Sequence, residues 1–204
     1  MIQWPAKVPK AVEWLFPSFT WSIADAGKEV YLTFDDGPHP DITSRVLNML
    51  KEAGAHATFF CIGDRVQRYP DVYARILREG HSVGNHTHNH LNGWKTSTST
   101  YIENVELARK YIDSILFRPP YGKLSREQSL CLQEKGYRIV MWNVLSGDYD
   151  QQISAEQCIR RVQHLSSGNI ILLHDSEKAE HRMVHALDAL LKMGSENGYE
   201  FKGL

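Results

Sequence analysis

His86 and His90 stand four positions apart in the run Asn85-His86-Thr87-His88-Asn89-His90. In an extended strand that separation would be ~13 Å, at roughly 3.3 Å per residue. Two ligands of one zinc ion each lie ~2.0–2.1 Å from the metal. The pair can therefore serve one ion only if the chain coils after Asn85 and brings both rings to one side. Gly84 and Asn85 before it, with Thr87 and Asn89 inside it, allow such a turn. His88 then points elsewhere, as a structural or solvent-facing ring. A His-x-x-x-His pair is weak evidence alone, and a hard ligand from another strand end strengthens it. Asp35-Asp36, followed by Gly37-Pro38, offers two carboxylates, although Asp-Gly-Pro is also ordinary turn chemistry. Two imidazoles and one carboxylate leave a position open for water, as in a catalytic zinc site. Water on such a metal has its pKa lowered towards ~7, and a second carboxylate can take its proton. The spacing does not say which aspartate does which.

Further polar residues could complete such a centre. Arg118-Pro119-Pro120-Tyr121 delivers one guanidinium from a loop stiffened by two prolines, and an arginine beside a carboxylate keeps it ionised. His174 directly follows the apolar run Ile170-Ile171-Leu172-Leu173. A lone histidine there is usually a core residue. With Asp175 and Asp148 on the same face it becomes a candidate general acid.

The elements that must position these groups alternate between β-branched or aromatic runs and amphipathic helical stretches, the pattern of βα units. Strands are predicted at Val30–Phe34, His56–Ile62, His81–Asn85, Arg138–Val144 and Ile170–Leu173. Helices are predicted from Ile42 to Ala53, through Val72, Ile76 and Leu77 to Gly80, and through Met183, Leu187, Leu190 and Leu191 to Gly194. Asn92 to Ser99 reads as a loop. Capping boxes are predicted at Thr100–Glu103, Ser125–Gln128 and Ser154–Gln157. The apolar strands suit a parallel sheet covered by helices. The expected fold is α/β, a single-domain (β/α) barrel, with the polar clusters gathered at the C-terminal ends of its strands.

At 204 residues, with no linker or repeat, one domain over 1–204 is expected, residues 1–27 forming an aromatic-rich N-terminal cap. Trp4, Trp14, Phe16, Phe19 and Trp21 are expected to plug one end of it. A net charge of -1 gives no reason to expect nucleic acid or an anionic membrane as partner. Lys7, Pro9, Lys10 and Glu13 interrupt the N-terminal apolar residues, so neither a signal peptide nor a membrane span is read there. Sequence alone thus points to the cytoplasm and to a monomer. Cys61, Cys131 and Cys158 are too few and too far apart for a disulfide framework and read as structural thiols. There is no Gly-x-Ser-x-Gly elbow, phosphate-binding glycine loop or His-Glu-x-x-His helix.

Taken in order, Thr33–Pro38, His86–His90, Arg118–Tyr121, Trp142–Tyr149 and Leu173–Asp175 resemble the five motifs of the polysaccharide deacetylases, carbohydrate esterase family four. The likeness runs from Val30 to about Ser176. It implies a distorted (β/α) barrel of about seven parallel strands and a divalent metal, zinc first and cobalt or nickel as alternatives. It also implies that Asp36, His86 and His90 hold the metal, Asp35 is the general base and Arg118 orients it. The backbone N–H of Tyr121 would stabilise the oxyanion, His174 would protonate the leaving amine, Asp148 would pair with His174, and Leu173 would line the acetyl pocket. The fourth motif departs from the family pattern. Tyr149 replaces the usual tryptophan, and Leu145 stands where a further aspartate often occurs. Trp94 is a candidate for stacking on a sugar ring.

The resemblance implies hydrolysis of N-acetyl groups from an N-acetylglucosamine-containing glycan, peptidoglycan or chitin-like, and this substrate class suggests the cell envelope. The competing readings are an O-acetyl esterase of acetylated polysaccharide such as acetylxylan, and a sugar-binding protein of the same fold without catalysis.

Overall fold

The computed structural model describes residues 5–204. Seven parallel strands form a sheet curled into a half-barrel: β1 (Glu29–Asp35), β2 (Ala57–Cys61), β3 (Ser82–Asn85), β4 (Leu116–Phe117), β5 (Arg138–Ile139), β6 (Val144–Leu145) and β7 (Ile170–His174). Their order is β5-β4-β3-β2-β1-β7-β6, and a short β8 (Glu200–Phe201) pairs with the start of β1. Eight α-helices accompany them among the described residues: α1 (Lys10–Leu15), α2 (Ile42–Glu52), α3 (Gly63–Arg68), α4 (Pro70–Arg78), α5 (Thr98–Arg109), α6 (Arg126–Glu134), α7 (Ala155–Val162) and α8 (Glu180–Asn197). None of the helices in the described residues is long and apolar enough to cross a membrane.

Side chains of a strand alternate between faces, and this sorts the core. Val30, Leu32 and Phe34 of β1 and Ile171 and Leu173 of β7 point outward into the main cluster. There they meet Val46, Leu47 and Leu50 of α2 and Leu187 and Leu190 of α8. Tyr31, Thr33 and Asp35 point inward, toward a second layer containing Phe60, Leu116, Val140 and Ile170. Register carries the face across the sheet, pairing Phe34 with Leu173 and Asp35 with His174.

The predicted strand Arg138–Val144 is broken into β5 and β6. Those two strands pair with β4 and β7 at opposite edges of the open sheet, so the chain between them must leave the ladder to cross from one edge to the other. The N-terminal segment lies against this opening. Thr20 N–H donates to Ile139, Met141 N–H to Thr20, Val8 N–H to Asn143 and Leu145 N–H to Ala6, at 2.7–3.0 Å. Trp21 is buried and Phe19 packs on it, but Trp14 and Phe16 are 77% and 48% exposed. Backbone pairing and Trp21, rather than the whole aromatic set, fill the gap; Trp4 lies outside the described residues.

The capping boxes at Ser125–Gln128 and Ser154–Gln157 form in full. The one predicted at Thr100–Glu103 does not. α5 starts three residues earlier, because Ser97 caps it by accepting the Thr100 N–H at 3.3 Å. Within the expected Asn92–Ser99 loop, Gly93–Lys95 forms a 3₁₀ turn. α1, α3, β4 and β8 are too short to show a period in sequence.

Gly84 lies on the inward face of β3, where a Cβ would enter the ring of Phe60. That ring is fully buried and carries the Arg118 guanidinium 4.0 Å above it. Replacing Gly84 by alanine should cost about 1–3 kcal/mol by overpacking. Urea unfolding should show a lower midpoint at unchanged slope; an unchanged midpoint would mean that Phe60 is free to move.

Candidate active site

Every site residue predicted from sequence except Leu173 comes to one end of the sheet, beyond the C-terminal ends of the strands. The turn required between His86 and His90 is real. Thr87 and His90 adopt left-handed backbone conformations, φ 63° and 55°, and the two imidazole centroids end 5.1 Å apart. Asn85 Oδ1 accepts the Thr87 N–H at 2.8 Å, and the Thr87 hydroxyl accepts the Leu91 N–H at 3.2 Å, so side chains complete the turn. Asp36 is also left-handed, φ 83°, immediately after β1, which swings its carboxylate away from the direction of Asp35. Non-glycine residues rarely adopt positive φ, and such strain concentrates at functional sites.

One donor atom each from Asp36, His86 and His90 lies within 4.8 Å of the others. Asp36 Oδ1 is 3.1 Å from His90 Nε2 and 3.9 Å from His86 Nε2. Burial keeps His86 neutral by lowering its pKa to about 4, against the opposing charge of Asp35. Neutral His86 donates its Nδ1–H to the Arg118 carbonyl at 2.7 Å, which leaves the Nε2 lone pair turned to the cluster. His90 Nδ1 meets the Tyr121 hydroxyl at 3.1 Å. Burial works to raise the Asp36 carboxyl, but its hydrogen bond with His90 holds it well below the usual carboxylate range. Two imidazole nitrogens and one ionised carboxylate oxygen form a donor set that fits a divalent transition metal. Lys178 Nζ stands 3.4 Å from the second Asp36 oxygen, a neighbour with no signal in the sequence pattern.

Asp35 lies beside this cluster and is held from below. Arg118 is fully buried, and four of its five N–H groups are engaged. Nη1 donates to Asp35 Oδ1 at 2.8 Å and to Thr33 Oγ1 at 2.7 Å; Nε donates to Val140 O at 3.1 Å and Nη2 to Met141 O at 2.7 Å. The last two carbonyls belong to the break between β5 and β6, where no ladder partner remains for them. Asp35 Oδ2 is left facing His86 Nε2 at 3.8 Å. Thr33 was given no role of its own from sequence, although the two-residue period puts it on the same face as Asp35.

On the other flank, Asp148 is fully buried and grips His174 twice, accepting Nδ1–H at 2.8 Å and the backbone N–H at 2.7 Å. Burial alone would lower the imidazole pKa, but Asp148 outweighs it and pushes it up to about 9. His174 is therefore an imidazolium at neutral pH, with Nε2–H available. Tyr149 meets the imidazole edge-on, 5.3 Å between centroids. The structure does not bring Leu173 here. It is fully buried on the outer face with Phe34, whereas Leu172 shares the inward face with His174. Strand alternation, applied back from His174, would have chosen Leu172.

His88 turns away from the cluster and stacks on Tyr111 at 5.7 Å. The three cysteines are free, Cys61 and Cys158 buried.

The comparisons agree with this geometry. The polysaccharide deacetylase family profile matches residues 23–140, more than half of the chain. A peptidoglycan-N-acetylglucosamine deacetylase of Bacillus cereus is 35% identical over 189 residues, 89% of this chain and 89% of that protein. A chitooligosaccharide deacetylase of Azorhizobium caulinodans is 34% identical over 153 residues, 72% of this chain and 73% of that protein. A crystal structure of a peptidoglycan N-acetylglucosamine deacetylase superposes with a TM-score of 0.83 at 30% identity, covering 95% of this chain and 94% of that one. The chain belongs to the polysaccharide deacetylase family, a family of hydrolases.

Replacing Arg118 by methionine leaves a buried Asp35 carboxylate unpaired and should cost about 3–5 kcal/mol. Adding Asp35→Asn should recover part of that loss in urea unfolding. A double variant no more stable than Arg118→Met would show that the carbonyl contacts, not the ion pair, carry the effect.

Proposed function

We propose that the protein removes N-acetyl groups from an N-acetylglucosamine-containing glycan. The observation that carries this is the Asp36–His86–His90 cluster set between an arginine-held carboxylate on one side and an aspartate-held imidazolium on the other. On this reading one flank supplies the base and the other the acid for amide hydrolysis, with a metal-competent cluster between them.

A divalent metal held by Asp36, His86 and His90, zinc first, would polarise the amide carbonyl and acidify a water molecule. Asp35 takes the proton of the attacking water through Oδ2, since Oδ1 is occupied by Arg118. The backbone N–H of Tyr121 would donate to the developing oxyanion. His174 passes its Nε2 proton to the amine as the carbon–nitrogen bond breaks, leaving acetate and a free amine on the sugar. Asp148 keeps that imidazole protonated beforehand and fixes its tautomer. Leu172, beside His174 on the inward face, replaces Leu173 as the apolar neighbour of the acetyl methyl group.

Acetate release should be measured after metal loading, on N-acetylated oligosaccharides and acetylxylan side by side. N-acetylated glycans are expected to be turned over and chelation to abolish the rate, with zinc or cobalt restoring it. Release from acetylxylan alone would turn the assignment to an O-acetyl esterase. Asp35→Asn should keep metal binding, read by calorimetry, while losing at least about 100-fold in kcat; a variant with most of its rate would remove Asp35 as the base.

The pH profile tests the other flank. Activity needs His174 protonated, so kcat should decline as pH rises through about 9. Asp148→Asn removes the charge that raises this pKa, so the basic limb should move down toward the ordinary ~6.5 of histidine. A limb that stays in place in Asp148→Asn would show that it belongs to another group.

A further inference from the structure

Trp94 is 68% exposed, yet both of its N–H groups are engaged. Its indole N–H donates to the Leu124 carbonyl at 3.3 Å, and its backbone N–H donates to Asn92 Oδ1 at 3.0 Å. Beneath it the buried Gln128 amide donates to the carbonyls of Gly93 and Thr96, at 2.9 and 3.1 Å. Gly93 is itself packed so closely against Lys123 and Gln128 that a Cβ would not fit. The ring belongs to none of the three apolar clusters. A rigid, exposed indole whose polar edge is already satisfied has the character of a stacking platform, with its ordering cost met before a ligand arrives.

The platform carries a charge. Lys123 Nζ lies 5.2 Å from the indole centroid, within cation–π range. Among the described residues no carboxylate stands within ion-pair distance of it. Lys123 is half-buried, and Lys95, next to Trp94, adds an exposed cation. The platform also adjoins the reaction centre. Trp94 follows His90 by four residues, so their Cα atoms are at most ~14 Å apart. Lys123 lies two residues beyond Tyr121, which is 60% exposed and touches His90.

We propose that Trp94 and Lys123 form a subsite for a neighbouring sugar that carries a carboxylate, the ring stacking on the indole and the carboxylate meeting the ammonium. Resting on the deacetylase reading, this narrows the substrate to an N-acetylated glycan with acidic substituents. The lactyl ether on alternate sugars of a peptidoglycan strand is such a group; chitin oligomers have none.

The test compares a neutral N-acetylglucosamine tetramer with a tetramer of the same length bearing free lactyl carboxylates, and with the latter after amidation. Binding is read by calorimetry and turnover by acetate release. Wild type should favour the free-acid tetramer over both others. Lys123→Gln should lower the acidic-to-neutral ratio of kcat/KM about fivefold, through KM, and Lys123→Arg should retain it. The preference should fade at ~1 M salt, where the Debye length falls to about 3 Å. Trp94→Ala should weaken binding of all three tetramers. Equal binding of the acidic and neutral tetramers, or equal loss on both in Lys123→Gln, would overturn the proposal. Should no glycan release acetate while the Kd ratio still depends on Lys123, the subsite stands and the deacetylase reading falls.

Discussion

A single fully buried guanidinium, that of Arg118, joins the fold of this protein to its chemistry. The half-barrel has to pass from one sheet edge to the other between β5 and β6, and at that crossing the carbonyls of Val140 and Met141 lose their ladder partners. Arg118 supplies both with N–H donors, and with its remaining contacts it holds Asp35 and Thr33. Its own carbonyl accepts from His86. One residue thus closes the backbone account of the barrel, fixes the proposed base and sets the tautomer of a proposed metal ligand. Burying a charge in this way costs several kcal/mol unless it is paired and hydrogen-bonded throughout, and Arg118 meets that condition. The planar fork of guanidinium donors is what allows it, since an ammonium in the same place could not address two carbonyls, a hydroxyl and a carboxylate in one plane.

The second constraint is the shape of the loops above. Asp36, Thr87, His90 and Tyr121 all have positive φ without being glycine. Such conformations persist only where surroundings over-determine them, and those surroundings are visible. The Asp175 carboxylate accepts the Gly37 N–H at 2.9 Å and bonds the Thr43 hydroxyl, which also accepts the His39 N–H at 2.7 Å. This clamp holds the turn after Asp36 against the end of β7. A Cβ at Gly37 would collide with the same carboxylate, so the Asp-Gly pair is required by packing as well as by the turn. Burial, with Asp36 nearby, raises the Asp175 pKa to about 7.

Much of this was legible in the sequence, for identifiable reasons. The ~13 Å reach of an extended His86–His90 segment forced a coil there, and the structure supplies one with two left-handed residues. The two Ser-x-x-Gln boxes capped their helices because both partners of each box lie within one turn. What was not legible depended on distant parts of the chain. The break of the predicted 138–144 strand follows from the positions of β4 and β7 at opposite edges, which no local period encodes. Ser97 took the cap from Thr100 because it opens the same helix three residues, nearly one turn, earlier. Leu173 was misplaced by one residue although the strand was correctly seen. The two-residue period that places Thr33 with Asp35 also places Leu172, not Leu173, with His174. Lys178 reaches Asp36 across a loop, and nothing in its neighbourhood of sequence announces it.

The remaining question is how one site holds a proposed carboxylate base and a proposed imidazolium acid side by side. The fold gives each its own counter-charge on the side away from the cluster. Arg118 lies beneath Asp35, and Asp148 lies behind His174. Each partner is fully buried, so the local dielectric strengthens its effect, while the group it controls keeps one atom turned toward the site. The ligand cluster separates the two pairs, its imidazole rings neutral at His86 and its carboxylate ionised at Asp36. Because the partners come from β4 and β6, on opposite sides of β1 and β7 in the sheet order, the polarity of the site is a consequence of topology.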